Sequence, residues 1–439
     1  MGPTTAGAPL RKRLTVTFVA ASLLLPALFA VSSPAADLSL SSRSYFLYYE
    51  RELAGGNKEQ FAPLYEYLSA DAANLAGTSF SFHFYGWGRV DLSDASGSGK
   101  ESGDLGSAYL EYLHPQGNAQ MKLGRFFFSE GAAVETLDGG FVKMTTPLGI
   151  GFSAFGGVPV EHSILDNTKG GDSLYGGRLF FARTGRVEIG ASYLKEAGPF
   201  QGKDRELYGG DLWLRVAAPV ELTGQAAYNR STREMASQRY AARILPGARV
   251  DISAGYESYS YKSLFQTTLN PAFFPPSIDN DDKVQVIFGV VDWEIVPGWT
   301  IEVAGKNIRH DKSNPGNANR GEIGVRHAYN EKKDAAGISG AVVTADREEN
   351  EYSEIRGFAT YSPGKFRLSL DALNQQYKRP INGKKNASQI VVSAGYRFFP
   401  SFLLSGDFQW TQSPTFSSDY AGLVRATLDL ATGMGGKKK

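Results

Sequence analysis

The sequence predicts an all-β protein, a transmembrane β-barrel of about 20 antiparallel strands, within a range of roughly 18 to 22. Three observations lead to this prediction. Many segments alternate apolar and polar residues, which gives the two-residue side-chain period of a strand. These segments are longer than strands of soluble proteins. They are joined alternately by long polar loops and by tight turns rich in Gly and Pro.

The stretch Thr78–Ser93 shows the alternation most clearly. Alternate positions of a strand point to the same face, and we call each such set of positions a parity. One parity carries Phe80, Phe82 and Phe84, and the other carries His83 and Arg89. At about 16 residues the run is roughly three times the common strand length of soluble proteins, and it is long enough to cross a bilayer at a tilt. A secreted β-sandwich also alternates in this way, but it does not combine long strands with a strict succession of loops and turns.

Residues 1–36 are predicted to be a Sec signal peptide that is removed after export. Arg11–Arg13 form a basic start, Leu14–Ala30 are apolar and uncharged, and Ser33–Ala36 supply small residues for cleavage. Export places the mature chain in the bacterial envelope or outside the cell.

The composition narrows the functional classes. The chain has 50 Gly, 27 Phe and 22 Tyr but no Cys, and its formal net charge is +1. The lack of Cys removes disulfides, thiol catalysis and covalent c-type haem attachment. The charge balance gives no support for nucleic-acid binding. No second apolar run approaches the length of a membrane-spanning helix.

The predicted organisation has four parts. Residues 1–36 are the signal peptide, residues 37–77 an N-terminal periplasmic or lumen segment, residues 78–431 the barrel, and residues 432–439 a disordered tail. The alternation of loops and turns also gives an orientation, because outer-membrane barrels have short periplasmic turns and longer extracellular loops. An even strand number returns the C-terminus to the periplasm. The predicted location is therefore the bacterial outer membrane.

The two parities predict which side chains face lipid and which face the lumen, since charge facing lipid at mid-bilayer costs about 2–4 kcal/mol. The predicted lipid-facing side chains are apolar or aromatic: Phe80, Phe82, Phe84, Phe402, Leu404, Phe408 and Trp410. The predicted lumen-lining side chains are ionisable: His83, Arg89, Glu111, Lys122, Glu188, Asp211, Arg215, Glu221, Asp251, Glu257, Glu302 and Lys306. Two interpretations of this lining stay open, namely selection of solutes or partners and simple wetting of a water-filled interior.

The sequence predicts neither a catalytic residue nor a metal site. Its five His residues lie far apart, without the spacing of metal ligands and without a nucleophile elbow. The chain is therefore predicted not to be an enzyme.

Seven sequence motifs occur in order over most of the mature chain: Phe82–Leu92, Lys122–Arg125, Leu137–Gly139, Gly151–Gly157, Gly171–Arg178, Ala191–Glu196 and Ile381–Asn386. With these motifs the chain resembles the outer-membrane porin components of porin–cytochrome conduits in metal-respiring bacteria. The resemblance implies a barrel that surrounds multihaem c-type cytochromes, with one partner on the periplasmic side and one at the outer surface. All haem would belong to these partners, and this chain would bind no cofactor. The C-terminus departs from the usual pattern of such barrels, because no terminal aromatic residue follows Leu430.

The sequence thus leaves two functional hypotheses. In the first, the barrel sheathes partner cytochromes for electron transfer across the outer membrane. In the second, it is a diffusion or substrate-selective porin for small solutes. General porins narrow their lumen with an inward loop, and Lys262–Asp282 is the candidate for such a loop here.

Overall fold

A computed structural model describes the chain over residues 37–52, 58–93, 101–160, 173–200, 203–264, 281–312, 316–414 and 418–432. The predicted signal peptide, the tail beyond residue 432 and most of the predicted long loops lie outside these described residues. No described helix is long and apolar enough to cross a membrane.

Nearly all of the described chain is β-strand, because long runs of alternating Val, Ile, Phe, Tyr and Thr suit a pleated sheet. The strands are β1 (Asp37–Glu52), β2 (Lys58–Phe61), β3 (Pro63–Ala73), β4 (Phe80–Asp91), β5 (Glu101–Leu113), β6 (Ala119–Glu130), β7 (Ala133–Thr145), β8 (Ile150–Pro159), β9 (Ser173–Arg183), β10 (Val187–Phe200), β11 (Lys203–Ala217), β12 (Val220–Asn229), β13 (Glu234–Gly247), β14 (Val250–Ser260), β15 (Lys283–Val296), β16 (Trp299–His310), β17 (Ala318–Tyr329), β18 (Asp334–Ala345), β19 (Tyr352–Tyr361), β20 (Phe366–Ile381), β21 (Lys384–Phe399), β22 (Phe402–Gln412) and β23 (Asp419–Thr432). Three short helical segments interrupt them: 3-10 turns at Leu75–Gly77 and Glu348–Asn350, and helix α1 (Tyr261–Leu264).

The strands form one closed antiparallel sheet. From β3 onward each strand pairs with its successor, and β1 pairs with β23 from Leu38↔Thr432 to Tyr49↔Ala421. Both β2 and β3 pair with β1, end to end, so they make one wall strand. The 23 assigned segments therefore build a 22-strand barrel. The predicted fold class is confirmed.

Residues 37–77 differ from the prediction of a periplasmic or lumen segment. Asp37–Glu52 and Pro63–Ala73 are wall strands, and the barrel begins at Asp37 instead of at residue 78. The 20 strands counted from residue 78 onward correspond to β4–β23. Strand β1 was not predicted because the alternation of Leu38–Tyr49 is weak, with Ser residues on both of its parities.

The outer face of the barrel carries large exposed apolar side chains. Leu179 is 70% exposed, Leu123 67% and Ile355 60%. In water such a surface would be unfavourable over an area this large, whereas it matches the hydrocarbon core of a bilayer. The outer face is thus suited to lipid around the circumference.

Aromatic side chains concentrate on the outer face near the strand ends. At the end where Pro297 and Pro400 make short turns, Trp299 stacks on His327 with ring centroids 4.3 Å apart, and Phe366 lies 4.9 Å from Tyr396. Near the opposite end Phe408 lies 6.1 Å from Tyr420. Amphipathic rings favour the two membrane–water interfaces, so these pairs mark the borders of the apolar band.

Glu66 on β3 is a carboxylate that lies on the outer face. Glu66 has the same parity as Phe82 across the β3–β4 register, yet only 2% of its surface is exposed. The hydroxyl groups of Ser42 and Ser44 on β1 donate hydrogen bonds to its two oxygens at 2.6 and 2.5 Å. These bonds offset part of the free-energy cost of a polar group in an apolar surrounding.

Closure between β1 and β23 can be tested by a disulfide, because the chain has no Cys of its own. Ser41 faces Asp429 in the register, and paired residues of antiparallel strands are close enough for a disulfide. We expect the double variant S41C/D429C to crosslink on oxidation and to change its mobility on a non-reducing gel. The pair S41C/S405C is the control, since Ser405 lies on β22, one strand beyond β23. If residues 37–52 lay outside the wall, the first pair would crosslink no better than the second.

Candidate functional site: the barrel lumen

Part of the β6–β7 hairpin leaves the wall. Strand β6 pairs with β5 only as far as Arg125, and β7 pairs with β8 only from Leu137 onward. Between these points β6 and β7 remain paired with each other, from Phe126↔Leu137 to Glu130↔Ala133. Residues 126–136 are therefore a two-stranded ribbon free of both neighbouring strands. We call this ribbon the infolded hairpin, because its contacts lie on the inner wall.

Glycines allow the ribbon to bend where it leaves the wall. Gly124 has a φ of +126°, and it is paired with Gly139 on β7. A Cβ at Gly124 would lie 2.3 Å from the Ala108 carbonyl oxygen, and one at Gly139 would lie 2.2 Å from the Gly156 oxygen. Only residues without a side chain fit this close backbone approach. The two facing glycines therefore make this bend possible.

The tip of the infolded hairpin is hydrogen-bonded to wall strands further along the sheet. The Ala132 amide donates to the Ser192 hydroxyl on β10 at 2.9 Å. The side-chain amide of Gln225 on β12 donates to the Gly131 carbonyl at 2.8 Å. Since β10 and β12 are three and five strands from β7, these bonds bridge the interior and fix the tip to one side of the lumen.

Ion pairs hold the two edges of the hairpin. Glu130 accepts bonds from Lys143 at 2.8 Å and from the Ser153 hydroxyl at 3.2 Å, and it lies 3.8 Å from Arg178. Glu135 pairs with Arg205 on β11, which also lies 3.4 Å from Glu196. Arg178, Arg205 and Glu196 are almost fully buried, so their charges depend on these partners.

An apolar cluster fills the space between the infolded hairpin and strands β8–β13. Phe126, Leu137, Leu174 and Leu194 have no exposed surface, and they pack with further buried residues of the same cluster: Phe128, Ala133, Phe141, Phe155, Leu207, Ala227 and Ala236. Burial of one large apolar side chain contributes about 1.5–3 kcal/mol. The inner wall was predicted to be polar, and on this side it is not. The run Phe126–Phe128, which is apolar on both parities, was the available signal in the sequence.

All twelve residues predicted to line the lumen lie on the inner parity, and all seven predicted to face lipid lie on the outer one. The inner residues pair mainly with neighbours across the sheet. His83 lies 2.6 Å from Asp71 and 3.2 Å from Glu111, and Glu188 and Asp211 both accept bonds from Arg178. Further ion pairs of these predicted residues are Arg89–Asp91, Arg215–Glu221 and Arg243–Asp251. Lys122 lies over the Tyr109 ring at 5.3 Å.

The other side of the lumen is open. Glu302 and Lys306 on β16 are exposed, and the Arg356 side chain is 56% exposed although it pairs with Asp371 at 2.8 Å. Glu257 on β14 faces Arg239 in the register. Among the described residues the lumen is thus asymmetric, with an apolar packed half against β8–β13 and a more exposed, charged half along β15–β23.

A cluster of aromatic rings lines the inner face of β1, β3 and β4. Tyr67 lies 5.4 Å from Tyr45, 6.4 Å from Tyr65 and 6.5 Å from Trp87, and Arg89 lies 5.8 Å from the Tyr65 ring. Sequence reasoning missed this cluster, because it arises from registers between strands that the sequence had not identified as wall.

The predicted constriction loop, Lys262–Asp282, falls largely outside the described residues. At its borders, Asn229 donates to the Ser263 carbonyl at 3.0 Å, and His310 lies 2.6 Å from Asp282. The element that enters the lumen in the described part of the chain is the infolded hairpin. Within the same described residues, no group of three or more His, Asp or Glu is placed to hold a metal ion.

Docking of the infolded hairpin can be measured with a single introduced thiol at Ala133, which is 1% exposed. In the A133C background, R205A removes the buried partner of Glu135 and Glu196, at a cost of about 3 kcal/mol. We expect the rate of labelling by a water-soluble maleimide to rise at least tenfold. The control is R215A, because the Arg215–Glu221 pair is exposed at the rim and touches no part of the hairpin. Equal labelling rates in R205A and R215A would contradict ion-pair docking.

Comparisons with known proteins give the fold. No protein-family model matches the chain, and no curated protein matches its sequence. The siderophore receptor PirA from Pseudomonas aeruginosa is similar in structure at 13% identity, over 89% of this chain and 80% of that chain, with a TM-score of 0.58. The usher-containing P pilus tip assembly intermediate PapC-PapD-PapK-PapG of E. coli is similar at 11% identity, over 93% and 62%, with a TM-score of 0.52. OccK3 (OpdO) of Pseudomonas aeruginosa is similar at 9% identity, over 91% of this chain and 96% of that chain, with a TM-score of 0.45. The chain therefore has the fold of outer-membrane β-barrels.

Proposed function

We propose that the protein is an outer-membrane barrel that houses partner multihaem c-type cytochromes and insulates them from lipid. One partner enters from the periplasm and one binds at the outer surface. The barrel itself takes no part in redox chemistry and is not an enzyme. Its role is to replace lipid around the haem chain and to position both partners through lumen and loop contacts.

The main observation behind this proposal is the asymmetric lumen, which is packed along β8–β13 and exposed along β15–β23. A barrel of 22 tilted strands is roughly 40 Å across between opposite backbone walls, from a strand spacing of about 4.8 Å and a tilt of about 40°. A compact domain of about 100 residues has a radius of gyration of about 13 Å. In the described part of the chain the infolded hairpin covers only the β8–β13 side, so among these residues the β15–β23 side leaves space on the scale of a folded partner segment.

The chemistry of the inner wall suits a protein partner. Exposed charges of both signs, such as Glu302 and Lys306, and the aromatic cluster around Tyr67 provide polar and stacking contacts without a single dominant charge. The chain has no Cys, so covalent c-type haem would have to be attached to the partner. The sequence motifs that resemble porin components of cytochrome conduits support the same assignment.

A second candidate, a diffusion or substrate-selective channel for small solutes, is favoured by the infolded hairpin. A ribbon fixed across one side of the lumen narrows the passage, as a constriction in a solute channel must. In this function the hairpin would set the size limit of the pore, and the exposed charges of β16 would face the solute.

Extraction of the protein from its native outer membrane in mild detergent separates the two candidates. We expect affinity-purified barrel to carry multihaem cytochromes in stoichiometric amount, detected by the visible spectrum and by haem staining of the co-purified bands. The control is a sample dissociated by heat before purification, which should lose the haem bands.

A barrel that is isolated from the native outer membrane without partners, is colourless and conducts ions in a planar bilayer would contradict the cytochrome proposal. It would leave the solute channel as the function.

A further inference from the structure

A cavity of about 1220 Å³ opens on the inner face at the end of the barrel that carries the short turns. It extends from the β17–β18 turn along the ends of β19–β23, and it is bordered by Thr360, Ser369, Ser393 and Ser405. By the orientation argued above, this is the periplasmic mouth of the lumen. The infolded hairpin contributes no residue to it, so the cavity is separate from the packed half.

The cavity is strongly positive. Five cationic side chains line it, against one carboxylate, Asp407: the five are Lys333, Lys365, Arg367, Arg397 and Arg425. Asp407 is already engaged with Arg425 at 2.9 Å. Among the described residues, Lys365, Arg367 and Arg397 have no ion pair with a carboxylate. Three cations thus face the same space without a counter-charge from the described chain.

Two of these cations are held in place by backbone carbonyls of the adjacent turn. Arg397 donates to the Pro400 oxygen at 2.7 Å, and Lys365 donates to the Phe398 oxygen at 3.4 Å. The remaining N–H groups of the Arg397 guanidinium stay available for a ligand. A guanidinium that is fixed by one bond loses less conformational freedom when it binds an anion.

A second cavity at the same end shows that this charge is local. It contains Arg243, Arg249 and Lys332, but Asp251, Asp292 and Glu294 line it as well. Arg243 pairs with Asp251, and Lys332 lies 3.6 Å from Glu294. The second cavity is balanced, whereas the first is not.

We propose that the first cavity is a binding site for small, multiply charged oxyanions, such as phosphate esters or polycarboxylates, at the periplasmic mouth of the lumen. Arg367 and Arg397 supply planar donor pairs that match phosphate and carboxylate oxygens, and Lys365 adds charge. A concave wall of one sign concentrates such anions from solution. This site is independent of whether a cytochrome or a solute passes through the barrel, so its test does not decide the proposed function.

The test uses the full chain produced in cells that lack the partner proteins, so that its lumen is empty whichever function is correct. The chain is studied in planar bilayers, with pyrophosphate as the probe in dilute KCl. We expect pyrophosphate to block the chloride-carried current at lower concentration from the periplasmic side than from the extracellular side. The double variant R367Q/R397Q should weaken the block at least tenfold. The charge-retaining variant R367K/R397K should weaken it less.

The matched control is R249Q, which removes one cation from the balanced cavity at the same end and should leave the block unchanged. If the double variant does not fold, as judged by its gel mobility without heating, the single variant R367Q should weaken the block about threefold. An unblocked wild-type current, or equal block of wild type and the Arg367 variants, would overturn the proposal. So would a loss in R249Q as large as in R367Q. If pyrophosphate fails but an acidic peptide blocks the current, the cavity is a protein-docking surface and the oxyanion site is wrong.

Discussion

The ladder between β1 and β23 is the constraint on which the rest of the structure depends. In hydrocarbon, an unpaired backbone N–H or C=O costs several kcal/mol, so a sheet that crosses a membrane must have no open edge. Twelve consecutive residue pairs, from Leu38↔Thr432 to Tyr49↔Ala421, remove that edge here. Residues that are far apart in sequence must therefore meet in the correct register. A shift by one residue would turn every inner charge of β1 outward.

Once the sheet is closed, its two faces obey different rules. On the outer face, large apolar side chains such as Leu179 and Ile355 remain mostly exposed, because they face lipid instead of water. The inner face has no lipid, so it must either be wetted or packed. This barrel does both, with the infolded hairpin packed against β8–β13 and ion pairs exposed along β15–β23. The bend at Gly124 and Gly139 makes the packed half possible, and Arg178 and Arg205 are buried beside the buried carboxylates of Glu130 and Glu196.

The sequence predicted the parts of the fold that depend on local pattern. The alternation over Phe80–Arg89 gave the strand and the correct parity, and turns such as Pro297–Gly298 gave the hairpins. The prediction missed β1 because Ser42 and Ser44 lie on the outer face, where they donate hydrogen bonds to Glu66 on the neighbouring strand. No local sequence pattern reveals this contact.

The prediction also missed the infolded hairpin. Phe126–Phe128 is apolar on both faces, but the partner surface that makes this favourable comes from Leu174, Leu194 and Leu207 on later strands. Likewise, the positive cavity joins Arg367, Arg397 and Arg425, which share only a position near the same end of the barrel.

The asymmetric lumen links the fold to the proposed function, since among the described residues the space for a partner lies on the β15–β23 side. A photo-crosslinking amino acid placed at Lys306, in the native outer membrane, tests this most directly. The account predicts a crosslinked band that stains for haem from Lys306, and no such band from the same probe at Phe82 on the outer face. An absence of haem-bearing crosslinks from Lys306, or equal crosslinking from both positions, would contradict the account.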